Sequence, residues 1–201
     1  MQHILIAAKE KELKEQADQG EMPEQIIPLT PSTSFDFKSS CGIATERALI
    51  YELLKRRPEF SDLKKRLSKF FKVSVRDDNW KKYYRDRYAD KVDKLGEEYV
   101  SMMNNALNQK DTGVLEELKG LLTNHESYSY DDQCRIISML RLIFAEISVE
   151  MLHPDIVVMD EFQRFKSLLD ESDNEQSMLT HAFFNQEDCK ILLLSATPYK
   201  P

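Results

Sequence analysis

Two apolar runs near the C-terminal end constrain this chain more than any other feature. In DIVVMD (155–160) and KILLLSAT (190–197) the apolar residues follow one another with no polar break. A half-exposed strand alternates apolar and polar residues. An unbroken Ile/Val/Leu run is the pattern of a strand buried on both faces of a parallel sheet. QIIPLT (25–30), followed by Pro31, is a third short candidate, and QHILIAA (2–8) reads as a further strand or a helix start.

Between these strand pieces lie about 105 residues of helical character. The chain has only five glycines, none in a glycine-rich loop. ATERALIYELLKRR (44–57) carries apolar residues at helical spacing and ends in basic residues that suit the helix dipole. PEFSDLKKRLSKFFK (58–72) opens on Pro58, a helix-start residue, and repeats Phe60, Leu63, Leu67, Phe70 and Phe71. Asp77, Asp78 or Asn79 can cap a long helix to about Leu107, and Asp111 or Thr112 another to about Leu122. Residues 130–152 form the most apolar helix and the expected core of this region. Connections between sheet strands are usually far shorter, so the middle reads as an inserted helical subdomain.

Composition excludes several classes. No apolar run approaches the roughly 20 residues that span a bilayer, and no basic-then-apolar leader opens the chain. Cys41, Cys134 and Cys189 are scattered, which argues against a disulfide framework or a zinc knuckle. The four histidines are equally isolated, so a metal cluster built from them is not expected. The expectation is a soluble protein of a reducing, cytoplasmic compartment, with no membrane partner. The net charge of −7 is unevenly spread: residues 1–45 carry −3, residues 46–95 carry +7 and residues 96–201 carry −11.

Asp160 and Glu161 directly follow the first apolar run. Open α/β sheets bind ligands at the C-terminal ends of their strands. In nucleotide hydrolases an Asp there holds magnesium bridging the β- and γ-phosphates. A neighbouring acid can orient or deprotonate the attacking water. The plain alternative is a strand leading into an acidic helix start, which the dipole also favours. About 30 residues on, Ser195, Ala196, Thr197 and Pro198 follow the second run. Small hydroxyls there can hydrogen-bond to the acidic strand's tip. Each motif alone is weak, since Ser, Thr and Pro after a strand commonly form a turn; the ordered pair is strong.

On these residues the chain resembles superfamily 2 helicases and Swi/Snf-type translocases. MDEFQRF (159–165) is similar to their motif II, LLLSATPYK (192–200) to motif III, and PLTPSTSF (28–35) to the motif Ib region. SFDFKSSCGIATERALIYELL resembles the following segment in a bacterial subgroup of large helicase-like proteins, some linked to phage defence. The resemblance covers both ends of the chain and the middle only in general character. It implies an α/β fold: a partial RecA-like parallel sheet with a large, mainly α-helical insertion. Residues 1–45 would hold the motif Ib region, 46–151 the insertion, and 152–201 the strands with motifs II and III.

The resemblance also implies roles. Asp160 would hold the magnesium of MgATP, and Glu161 would position the attacking water. Gln163 stands where many relatives have His or Asp, and would link the nucleotide site to motif III. Ser195 and Thr197 would couple hydrolysis to strand movement. Thr30, Pro31 and Ser32 would meet the phosphate backbone of DNA or RNA. No G-x-x-x-x-G-K-[ST] phosphate loop occurs in the chain. The expectation is therefore an internal piece of a longer helicase, whose remaining domains would be partners and without which it would not hydrolyse ATP.

Residues 60–91 interleave seven aromatics with eleven basic residues. Basic side chains neutralise phosphates, and aromatics stack on unpaired bases. Phe60, Phe70 and Phe71 have helical spacing and read as core. NWKKYYRDRY (79–88) is open between a solvated helix face and a nucleic-acid surface. Lys81, Lys82, Arg85 and Tyr88 fall near one face by helical spacing, with Trp80 a candidate for stacking. The rival expectation for the whole chain is a non-catalytic helical module that binds a protein partner or nucleic acid.

Overall fold

A computed structural model describes residues 41–124, 128–150, 155–160 and 189–194. The described residues form a helical unit and one short pair of strands. The helices are α1 (Ala44–Leu54), α2 (Lys64–Lys72), α3 (Asp77–Asn79), α4 (Asp86–Lys94), α5 (Gly96–Lys110), α6 (Val114–Thr123) and α7 (Tyr130–Glu150). A 3-10 helix, Pro58–Leu63, leads into α2, and a π-helical turn, Trp80–Arg85, joins α3 to α4.

The helix starts follow local chemistry. Glu46 Oε2 accepts from the Ile43 N–H at 3.3 Å before α1. Asp111 Oδ1 accepts from the N–H groups of Gly113 (3.0 Å) and Leu115 (3.3 Å), so Asp111, two residues ahead of the Gly113 cap, ties down the start of α6. At α7, Asp132 N–H donates to Ser129 Oγ (3.0 Å), while Ser129 N–H and Oγ both donate to Asp132 Oδ2. That reciprocal pair is a capping box with Asp in the usual Glu place.

The centre of the core is α1 rather than α7, which the sequence pattern favoured. Ala48, Leu49, Ile50, Leu53 and Leu54 are all essentially buried, and Arg47, Tyr51 and Glu52 with them. A helix buried on every side must be surrounded, and α2, the π turn, α4 and α7 all pack on α1. Phe60, Leu67, Phe70 and Phe71 join this core, as their spacing predicted. On α7 the matching inner residues are Ile136, Ile137, Leu140, Phe144 and Ile147.

The buried Arg47 is tied to backbone carbonyls, whereas the fully buried Glu52 pairs with the side chains of Lys55 and Arg56. Arg47 Nε donates to Phe71 O at 2.9 Å, and Nη1 donates to Cys41 O (3.1 Å) and Gly42 O (2.7 Å). Burial pulls its guanidinium below the ordinary arginine value, with Glu46 acting the other way. Arg141, on α7, donates from Nε to Glu46 Oε2 at 2.8 Å. Gly42 sits at φ +58°, and a Cβ there would collide with Arg141 Nε. This turn therefore requires glycine for both conformation and space.

The cysteine expectation is corrected at the same place. Cys41 and Cys134 form a disulfide, with Cα atoms 4.4 Å apart and a separation of 93 positions in sequence. Scattered spacing conceals such a pair because the fold, not the sequence, brings the two together. Cys189 is a free thiol.

Candidate functional site

The runs at 155–160 and 190–197 become β1 (Ile156–Met159) and β2 (Lys190–Leu193), paired in parallel. Val157 faces Ile191 in the ladder and Met159 faces Leu193. The ladder extends past both strands: Lys190 N–H donates to Asp155 O (3.1 Å), and Leu194 N–H donates to Met159 O (2.8 Å). The two strands thus end side by side at the same edge of the pair, one at Asp160 and the other at Leu194. Asp160 is exposed at this tip.

Burial of these strands differs from expectation. Met159 is buried, but Ile156, Val158, Ile191, Leu192, Leu193 and Leu194 are each 42–55% exposed. Apart from Met159 and the half-buried Val157, the apolar side chains of this two-stranded pair stand open to solvent. Its parallel pairing is as expected; its burial is not.

Asp160 can offer hard carboxylate oxygens, the donor type magnesium takes. Magnesium commonly uses one or two carboxylates and fills its remaining positions from phosphates and water. One exposed Asp at a strand tip fits that half of the task. Among the described residues, no group of three or more His, Cys, Asp or Glu is placed to hold a metal by itself. Glu161, Gln163, Ser195 and Thr197, and likewise Thr30, Pro31 and Ser32, lie outside the described residues.

The second candidate surface is the basic segment, and here one assignment changes. Trp80 is only 3% exposed. Its Nε1 donates to Ser68 Oγ at 3.0 Å, and its ring lies 6.1 Å from Tyr84 and 6.2 Å from Tyr51. Trp80 is core and is not available to stack on a base. Tyr88 is also buried, so it does not share an outer face with Lys81 and Lys82.

The reason is the π turn. In an α-helix, residues four apart drift by about 40° per step. The wider turn at Trp80–Arg85 offsets that drift. Trp80, Tyr84, Tyr88 and Val92 can then all line the inner side, where they pack with the core. Lys81, Lys82 and Tyr83 face outward, all three exposed. Arg85, the remaining expected phosphate contact, pairs with Asp86 at 3.0 Å. Tyr83, which helical spacing did not single out, is the exposed aromatic of this surface, 55% accessible.

A cleft of about 470 Å³ also opens beside α7, lined by Lys110, Arg135, Met139, Leu142 and Glu146 among others. Its charged groups are engaged: Lys110 with Glu146 at 3.6 Å, and Arg135 with Glu117. Among the described residues, no helix is long and apolar enough to cross a membrane. Neither a family model, nor a curated protein, nor a solved structure matches this chain.

Proposed function

We propose that this chain is part of an ATP-driven nucleic-acid helicase or translocase of the superfamily 2 type. The observation that carries the proposal is the β1–β2 pair. Two parallel strands in register bring the motif II and motif III positions to one end, with Asp160 exposed at the tip and Leu194 bonded beside it. An isolated two-stranded parallel pair with exposed apolar residues is unusual, because parallel strands belong inside larger covered sheets. That favours β1 and β2 as strands of a bigger α/β sheet, the RecA-like part of the proposal.

In this reading magnesium, when bound, stabilises charge on the transferring phosphate. Asp160 would hold that metal at the strand tip. Glu161 accepts a proton from the attacking water. Ser195 and Thr197 link the neighbouring strand end to the acidic one, and Gln163 connects the two motifs. The helical unit offers its basic segment to DNA or RNA.

The test is Glu161→Gln in the parent polypeptide that carries a phosphate loop. ATP binding should persist, while turnover should fall by about a hundredfold or more. Undiminished turnover removes Glu161 from the mechanism, and a parent without nucleic-acid-stimulated ATP hydrolysis overturns the proposal. One observation favours a second reading, a non-catalytic binding module: the helical unit has its own core around α1. A parent that binds its partner equally well with Asp160→Asn and Glu161→Gln, and never hydrolyses ATP, would select it.

A further inference from the structure

Between the α2 and π-turn surfaces lies a feature that the motif roles do not use. The Trp80–Ser68 hydrogen bond docks the π turn against α2. Helix geometry places Lys65 and Lys72 on the Ser68 side of α2, and Lys69 directly follows Ser68. Lys72 is held by Asp77 at 2.8 Å. Lys65, Lys69 and Lys81 are exposed and form no ion pair among the described residues. The Lys82 ammonium lies 5.2 Å from the centre of the Tyr83 ring. An exposed aromatic therefore stands beside a positive charge, on a turn that one hydrogen bond ties to the lysine-bearing α2. Asp77 and Asp86 are neutralised locally by Lys72 and Arg85, leaving Asp62, Asp78 and Asp90 as exposed acids on the flanks.

We propose that Tyr83 is the base-stacking residue of a single-stranded nucleic-acid surface, with Lys81, Lys82, Lys65 and Lys69 taking the flanking phosphates. This rests on the nucleic-acid half of the function proposed above and replaces Trp80 by Tyr83 within it. Charge complementarity names the occupant: the segment 46–95 carries +7 in a chain of net −7, and phosphates are the matching polyanion. Exposure of an aromatic face selects unpaired bases over a duplex, whose bases are already stacked. Trp80 is then a positioning residue that holds the two basic elements together. The π turn fits the same pattern, since such turns recur at functional sites.

The experiment uses the whole chain and a fluorescein-labelled oligothymidylate, read by anisotropy across a salt series. Trp80 is the only tryptophan, so its emission reports an intact core in every variant. Tyr83→Ala should weaken binding about 5- to 150-fold, the range for losing one stacked base, with an unchanged salt slope. Tyr83→Phe should bind nearly as the parent does. Lys81→Ala with Lys82→Ala should weaken binding and flatten the salt slope by about 0.7 per lost contact. Tyr83→Ala binding at parental strength overturns the inference, and if the lysine variant still weakens, the nucleic-acid reading stands without it. Equal affinity for duplex of the same sequence overturns stacking. Absence of binding at low salt overturns the surface altogether and marks it as facing an acidic protein; the Glu161→Gln turnover test then judges the ATPase reading separately.

Discussion

Ser68 Oγ, on α2, accepts the indole hydrogen of Trp80, on the π turn, at 3.0 Å. One hydrogen bond thus joins two basic helical elements through groups that are themselves mostly shielded from water. Removing the acceptor leaves the indole N–H without its partner, a loss of about 1–3 kcal/mol.

Ser68→Ala should therefore lower unfolding free energy by that amount while leaving the core assembled. Trp80→Ala should cost more, about 3–5 kcal/mol, because it empties a large buried site. Urea denaturation of both variants checks the order. If Trp80→Ala proves as stable as the parent, the ring is not core.

The disulfide gives a second expectation. It links positions 93 apart in the unfolded chain, and bridges of that span contribute roughly 2–5 kcal/mol. Reduction, or Cys134→Ala, should lower the melting temperature by several degrees, and reductant should have no further effect on the variant. Thiol titration of the purified chain should find one free thiol, Cys189, before reduction and three after.

Acidification should unlatch the start of α7. Hydrogen bonds from the Ser129 hydroxyl and backbone hold the Asp132 carboxyl below its ordinary value. A carboxylate depressed in the folded state contributes stability above its unfolded pKa, and that contribution is lost as pH falls through the folded value. Stability measured against pH should therefore drop for the parent below about pH 4, with a shallower drop for Asp132→Asn. Identical profiles would show that the box contributes nothing.

In the parent polypeptide, Ser195→Ala with Thr197→Ala should retain much of the ATPase activity and impair strand displacement. The ground is the β1–β2 register, which brings residue 194 to the Asp160 tip. Equal loss of both activities would assign these hydroxyls to catalysis or folding instead.

Some of this was readable in the sequence, for identifiable reasons. Unbroken apolar runs mark parallel strands, and β1 and β2 pair that way. Asp111 stands at a real helix start because hydrogen bonding there is local chemistry. The missed features are not local. Cys41 and Cys134 meet only through the packing of α1 against α7. The outward place of Tyr83 and the inward place of Trp80 and Tyr88 depend on one widened turn, which helical spacing does not announce. The unexpected centrality of α1 follows from the helices that surround it, and a single helix's own pattern is silent about how many neighbours it has. The motif residues at 30–32, 161, 163, 195 and 197 remain at the level of the sequence resemblance.

The sulfur bridge also sets a line of force. Tension entering the chain ahead of Cys41 and resisted at β1 crosses directly to Cys134 and runs down the remainder of α7, a helix of 21 residues. The helices α1 through α6 lie inside the loop that the bridge closes, so the covalent path from Cys41 to Cys134 bypasses them while the bridge is intact. Tyr83 and its neighbouring lysines then travel as cargo, their spacing undisturbed by a pull on the backbone. Once the bridge is reduced, the same pull must pass through every one of those helices, beginning with the most deeply buried.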